Sequence, residues 1–119
     1  MMGQPIYAAI AGTQHYYGAT FLKPGQLIHL IKDPDNQHDH EAIQAEMIPI
    51  GKIGYVAHSP HTVPKGCRSA GRIYDTFEHH ICGIVRFVVK DIAIVELAAG
   101  VEEVYIIKAA EDAVFSTSL

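Results

Sequence analysis

The 119-residue chain reads as one mainly β domain, a small barrel or sandwich carrying one or two short helices. Three observations predict this. Apolar and polar residues alternate along several short segments, which is the period of a half-buried strand. Turn-forming residues punctuate those segments at short spacing. The composition, 49% hydrophobic and 18% charged, is that of an ordinary globular core, and the length fits a single domain.

The elements follow in chain order. "KPGQ" (residues 23–26) is a turn, because Pro24 fixes φ and Gly25 tolerates φ > 0. "QLIHLIK" (26–32), rich in isoleucine and leucine, is a largely buried strand. "DPDN" (33–36) is the next turn. "AIQAEMI" (42–48) places Ile43, Ala45 and Met47 on one face and Gln44 and Glu46 on the other. "PIGK" (49–52) turns again. "SAGRIYDTFEHH" (69–80) holds a short helix after Ser69. "ICGIVRFVVK" (81–90) places Ile81, Val85, Phe87 and Val89 on one face, with Arg86 and Lys90 opposite, and "IAIVELA" (92–98) follows at once. Lys90-Asp91 is the tight turn between them, without the glycine that usually marks one. "KAAEDAVF" (108–115) is a second helical segment. The expected organisation is a barrel over residues 1–97 and an acidic extension over 98–119, a strand and short helix packed on the same domain.

Several classes are set aside at this level. No apolar run approaches the roughly 18 residues of a membrane span. The first residues lack the basic and apolar regions of a signal peptide, and Met2 stands where a myristoylation signal has glycine. Cys67 and Cys82 are the only cysteines, too few for a secreted disulfide framework. The expected location is the cytoplasm, with reduced thiols and no membrane partner.

The net charge of -4 argues against strong nonspecific binding of nucleic acid, but the distribution changes that reading. From residue 96 onward lie Glu96, Glu102, Glu103, Glu111 and Asp112 against Lys108 alone, so the acidic excess sits in that segment. Between Met47 and Tyr74 there is no acid, and this window holds Lys52, Lys65, Arg68 and Arg72 with His58 and His61. It is either a phosphate-binding patch or an ordinary solvated face, since neighbours in sequence need not converge in space.

"DPDNQHDHEAI" (33–43) concentrates four acidic groups and two histidines. As a calcium loop it has His38 where glycine belongs and Gln44 where the last glutamate belongs. As a zinc site, His38 and His40 with His58 and His61, or His79 and His80, supply imidazoles, but no spacing matches a known arrangement. The plainer alternative is a set of surface histidines on turns. No phosphate loop is present, and "GCRSAG" misses the nucleophile elbow by one position. The expectation is no enzyme and no cofactor, with zinc held by histidines and a metal-dependent hydrolase as the more remote readings.

Read with its neighbours, "HYYGATFLKPGQLIHLIKDPDNQHDHEAIQAEMIPIGKIGYVAHSP" resembles the HIRAN domain. The family pattern is an aromatic pair with a glycine, a strand, a D/E-P-x-N-x-x-D-x-x-A-I core and a G-x-I/V-G-Y/H strand. Here these elements are Tyr16 and Tyr17, the strand around Leu27 to Ile31, Asp33-Pro34 with Asn36, Asp39, Ala42-Ile43, and Gly51 with Ile53-Gly54-Tyr55. The resemblance is firm over residues 12 to about 63 and loose over 64–97.

The resemblance implies an OB-like β-barrel that binds single-stranded DNA and captures a free 3′ end. It also implies the stand-alone form seen in bacteria, since neither the helicase-like ATPase nor the RING of eukaryotic relatives is encoded in these residues. Tyr16 and Tyr17 match the pair that contacts terminal bases. The alternative for at least one of them is a place in the core, since successive strand residues face opposite sides. Asp39 matches the acid that accepts a hydrogen bond from the terminal 3′-hydroxyl. A carboxylate accepts from a hydroxyl and repels a phosphate. The alternative is a turn-capping aspartate.

Asn36, His38, Tyr55 and His58 complete the implied nucleic-acid-binding set with His15, and Asn36 also suits the role of holding the turn. Three positions depart from the eukaryotic DNA-binding pattern. His15 stands for an arginine, His38 for an aromatic, and His58 falls near a lysine.

Two functions are therefore expected in competition. One is a nucleic-acid-end binding module, possessing single-stranded DNA as ligand and a separate helicase or nuclease as partner. The other is an assembly domain that keeps the barrel, with residues 100–107 forming an edge strand that pairs between subunits.

Overall fold

Six antiparallel strands close into a barrel in the order β1-β4-β3-β2-β5-β6. The computed structural model describes residues 4–98. The expected edge strand within 100–107, the helix at 108–115 and nearly all of the acidic extension lie outside the described residues. The strands are β1 (Tyr7–Ala11), β2 (Leu27–Lys32), β3 (Ile43–Met47), β4 (Gly51–Val56), β5 (His80–Val89) and β6 (Ile92–Leu97). A single turn of 3-10 helix, Thr13–His15, follows β1, and α1 (Ala70–Tyr74) lies between β4 and β5. This is the mainly β, OB-like barrel with a short helix that the sequence predicts. No helix among the described residues is long and apolar enough to cross a membrane.

Closure comes from β1, which pairs with β4 on one side and β6 on the other. The alternating apolar residues point inward. Ile10, Ile28, Leu30, Ile43, Ile53, Val85 and Val95 are among the fully or nearly fully buried core residues. Helix α1 begins where Ser69 Oγ accepts from Arg72 N at 3.3 Å, and it adds Ala70 and Ile73 to the same core. A helix was expected within residues 69–80 after Ser69, and it occupies only the first part of that span, Ala70–Tyr74.

The face assignment along β5 changes partway. Ile81 and Val85 are buried as expected, but Phe87 and Val89 are each 56% exposed, and Val88 packs against the core instead. The reason is a register shift against β6. Val85 faces Val95 and Phe87 faces the next residue back, Ile94, so one extra residue is accommodated on β5. A β-bulge inverts the facing of every residue beyond it. The Lys90-Asp91 turn forms as expected. Lys90 takes the left-handed conformation (φ 56°) that glycine would adopt without steric cost.

Candidate nucleic-acid interface

The turn between β2 and β3 is bonded to itself. Asp33 N donates to Ala42 O at 2.8 Å, closing its base. Asn36 Oδ1 accepts from His38 N (2.9 Å) and Asp39 N (3.1 Å), while Asn36 Nδ2 donates to Asp33 Oδ2 (3.3 Å). Asp39 Oδ1 accepts from Glu41 N at 2.9 Å, and Ala42 N donates to Asp39 O at 3.1 Å. Short amide and carboxylate side chains that satisfy their own backbone favour such a turn. Asn36 therefore holds the turn, and Asp39 caps its exit.

Asp39 does more than cap. Its second oxygen accepts from His58 Nδ1 at 2.7 Å, from the chain just beyond β4. The His58 hydrogen bond, with the Glu41 amide, holds the Asp39 carboxyl below the usual carboxylate range against the opposing effect of burial. His58 Nε2 lies 3.9 Å from Glu41 Oε1. On the other side α1 presents Gly71, where a Cβ would fall 2.8 Å from His58 Nε2. Glycine at this position lets the helix approach the imidazole.

The linkage has a sign. A carboxylate whose pKa is depressed in the folded state stabilises that state above its unfolded pKa of about 3.9. That stability is lost as pH falls through the lower folded value. Thermal melts of the wild type between pH 5 and 2 should show an acid-dependent loss that is smaller in Asp39→Asn, which has no carboxyl to protonate. An equal loss in both proteins would assign the acid sensitivity to other carboxylates.

A second cluster adjoins the turn. Tyr55 Oη donates to Asp33 Oδ2 at 3.1 Å and accepts from Lys52 Nζ at 3.1 Å. Lys52 Nζ lies 5.1 Å from the Tyr55 ring centroid and 5.9 Å from that of Tyr16. Its pKa is raised, chiefly by the bond to Tyr55 and despite some burial, so it is a fixed cation at neutral pH.

Tyr16 and Tyr17 are 39% and 60% exposed, which removes the core alternative for both. Strand alternation does not apply to them, because they sit in the turn after the 3-10 segment rather than on a strand. Tyr17 is braced edge-on by Phe21, with ring centroids 6.3 Å apart.

The other expected residues divide. His15 and His38 are exposed on the loops that carry Tyr16 and Asp39. Lys65 and Arg72 line a groove of roughly 360 Å³ with His58, Pro64, Cys67 and Ser69. Arg68 stands apart from these lining residues, its backbone N bonded to Tyr7 O at 2.8 Å. The acid-free window therefore contributes to two places, Lys52 beside the tyrosines and Lys65 with Arg72 beside His58. Asp33 and Glu41 were not singled out as site residues in the sequence. Their position inside the acidic turn was the available signal.

The HIRAN domain family model matches residues 4–75, more than half of the chain. The chain belongs to the HIRAN domain family. Among solved structures it is similar to the crystal structure of the HIRAN domain of human HLTF, at 18% identity and a TM-score of 0.54, over 91% of this chain and 84% of that one. It is likewise similar to a protein from Lactobacillus plantarum, at 19% identity and a TM-score of 0.54, over 79% of this chain and 93% of that one. At these identities the likeness shows the shared fold. No curated protein sequence matches the chain. The HIRAN match includes Tyr16, Tyr17, the whole acidic turn, Lys52, Tyr55 and His58, so the motif and the clustered side chains coincide.

Proposed function

We propose that this HIRAN domain is a non-catalytic module that binds single-stranded DNA and reads a free 3′ end. One observation carries the reading. Two tyrosines, Tyr16 and Tyr17, face outward; Tyr16 lies beside a fixed cation, Lys52, which is bonded through Tyr55 and Asp33 to the turn that presents Asp39. Exposed aromatic faces stack on bases regardless of sequence, and a neighbouring cation meets the backbone phosphate. The Asp39 oxygens accept one hydrogen bond each, which leaves lone pairs for a terminal hydroxyl. Lys65 and Arg72 extend the positive lining toward preceding phosphates. A helicase or nuclease that generates or consumes such ends is the kind of separate partner this reading calls for. The assembly alternative rested on residues 100–107, outside the described residues.

The test is fluorescence anisotropy with two oligonucleotides that differ only in a 3′-hydroxyl or a 3′-phosphate. The wild type should bind the hydroxyl end more tightly. Asp39→Asn keeps an oxygen for the Glu41 amide but removes the charge. It should weaken binding to the hydroxyl end and leave binding to the phosphate end no weaker. Equal wild-type affinity for the two ends would remove the role assigned to Asp39.

A further inference from the structure

Strand pairing assembles a second cluster away from the acidic turn. On β2 and β5, His29 and Cys82 are cross-strand partners, and His80 lies two residues before Cys82 on the same face. His29 Nδ1 and His80 Nε2 are 2.9 Å apart, and Cys82 Sγ lies 3.6 Å from the first and 3.5 Å from the second. His29 and Cys82 are buried, and His80 is the most accessible of the three. Their neighbours Ile28, Leu30 and Ile81 point into the core, so this face is the outer one of the barrel.

We propose that His29, His80 and Cys82 form a zinc-binding site. Two imidazole nitrogens and a thiolate are a donor set that zinc accepts. Bonds of about 2.05 Å to nitrogen and 2.3 Å to sulfur at tetrahedral angles put N and S about 3.5–3.6 Å apart, and N and N about 3.3 Å apart. Both nitrogen–sulfur separations already meet that requirement. The nitrogen–nitrogen separation of 2.9 Å suits a hydrogen bond between the rings and must open by about 0.4 Å to admit the ion. Binding converts the thiol to the thiolate, its proton leaving to solvent, and a fourth donor completes the coordination. The ion would join β2 to β5 through side chains and so act as a structural clamp on the barrel. The zinc groupings expected from the sequence used either His38, His40, His58 and His61 or His79 and His80. Only His80 belongs to this cluster, because cross-strand register is what brings His29 and Cys82 to it.

The experiment uses the full chain without an affinity tag of histidines, stripped with chelator and titrated with Co²⁺ and then Zn²⁺. The expected result is a thiolate-to-cobalt charge-transfer absorption that saturates at one equivalent and is displaced by zinc. Cys82→Ser should abolish the absorption, and His80→Ala should weaken cobalt binding at least tenfold. Cys67→Ser should change neither. Zinc should raise the melting temperature of the wild type and leave that of His80→Ala unmoved. Absence of the charge-transfer absorption in the folded wild type would overturn the proposal and leave a hydrogen-bonded histidine pair only. Its persistence in Cys82→Ser would overturn it equally.

Discussion

Gly54→Ala should lower the unfolding free energy by about 1–3 kcal/mol, in the range of overpacking a tight interior. A Cβ at residue 54 would stand 2.6 Å from Ala11 O and 3.0 Å from Ile10 Cγ2. The first is backbone, on a residue paired with Tyr55 across β1 and β4, and the second belongs to a fully buried core residue. Neither moves without disturbing the strand pair that closes the barrel.

Gly71→Ala is the instructive contrast. Its Cβ would meet the far end of His58 and the Glu41 carboxylate, both side chains that can swing away. The loss of stability should be smaller, while the His58–Asp39 bond is displaced. Urea melts of both variants check the ranking, and a Gly54→Ala midpoint equal to that of the wild type would contradict the packing described.

Truncating the tyrosines should have the largest effect on binding. Tyr16→Ala and Tyr17→Ala should each weaken single-stranded DNA binding by roughly 1–3 kcal/mol if each ring stacks on a base, about 5- to 150-fold. Both rings are substantially exposed, so the fold should survive the loss. Stacking carries no charge, and the salt dependence of binding should therefore keep its slope in these variants.

Lys52→Ala should behave differently, reducing the log–log salt slope by roughly 0.7 if Lys52 meets one phosphate of a single strand. Anisotropy titrations at several salt concentrations separate the two contributions. Tyrosine variants with unchanged affinity would show that the bases lie elsewhere.

β3 was legible from its period of two, and β2 from its run of isoleucine and leucine, which marks a strand buried on both faces. The tight turn at Lys90-Asp91 and the helix after Ser69 were legible for the same local reasons. Facing was lost beyond Val85, because a β-bulge depends on the partner strand and leaves no mark in an apolar run such as "FVV". β1 was not predicted as a strand. "YAAIA" is small and alanine-rich, and its role is set by pairing on both sides rather than by propensity.

The acidic turn was legible as a turn, and Asn36 and Asp39 have the capping roles that their chemistry suggests. That His58 would reach Asp39, and that Tyr55 would link Lys52 to Asp33, depended on contacts between residues 19 and 22 positions apart. The proximity of His29 to Cys82 spans 53 positions and follows only from register.

Backbone amide shifts of isotope-labelled protein, recorded by NMR while a short single-stranded oligonucleotide with a free 3′-hydroxyl is added, test the central claim most directly. The largest perturbations should fall at Tyr16, Tyr17, Asp39, Lys52, Tyr55 and His58, with smaller ones at Lys65 and Arg72. Perturbations centred instead on the outer face of β5 and β6 around Phe87 and Ile94, or no perturbation at all, would contradict it.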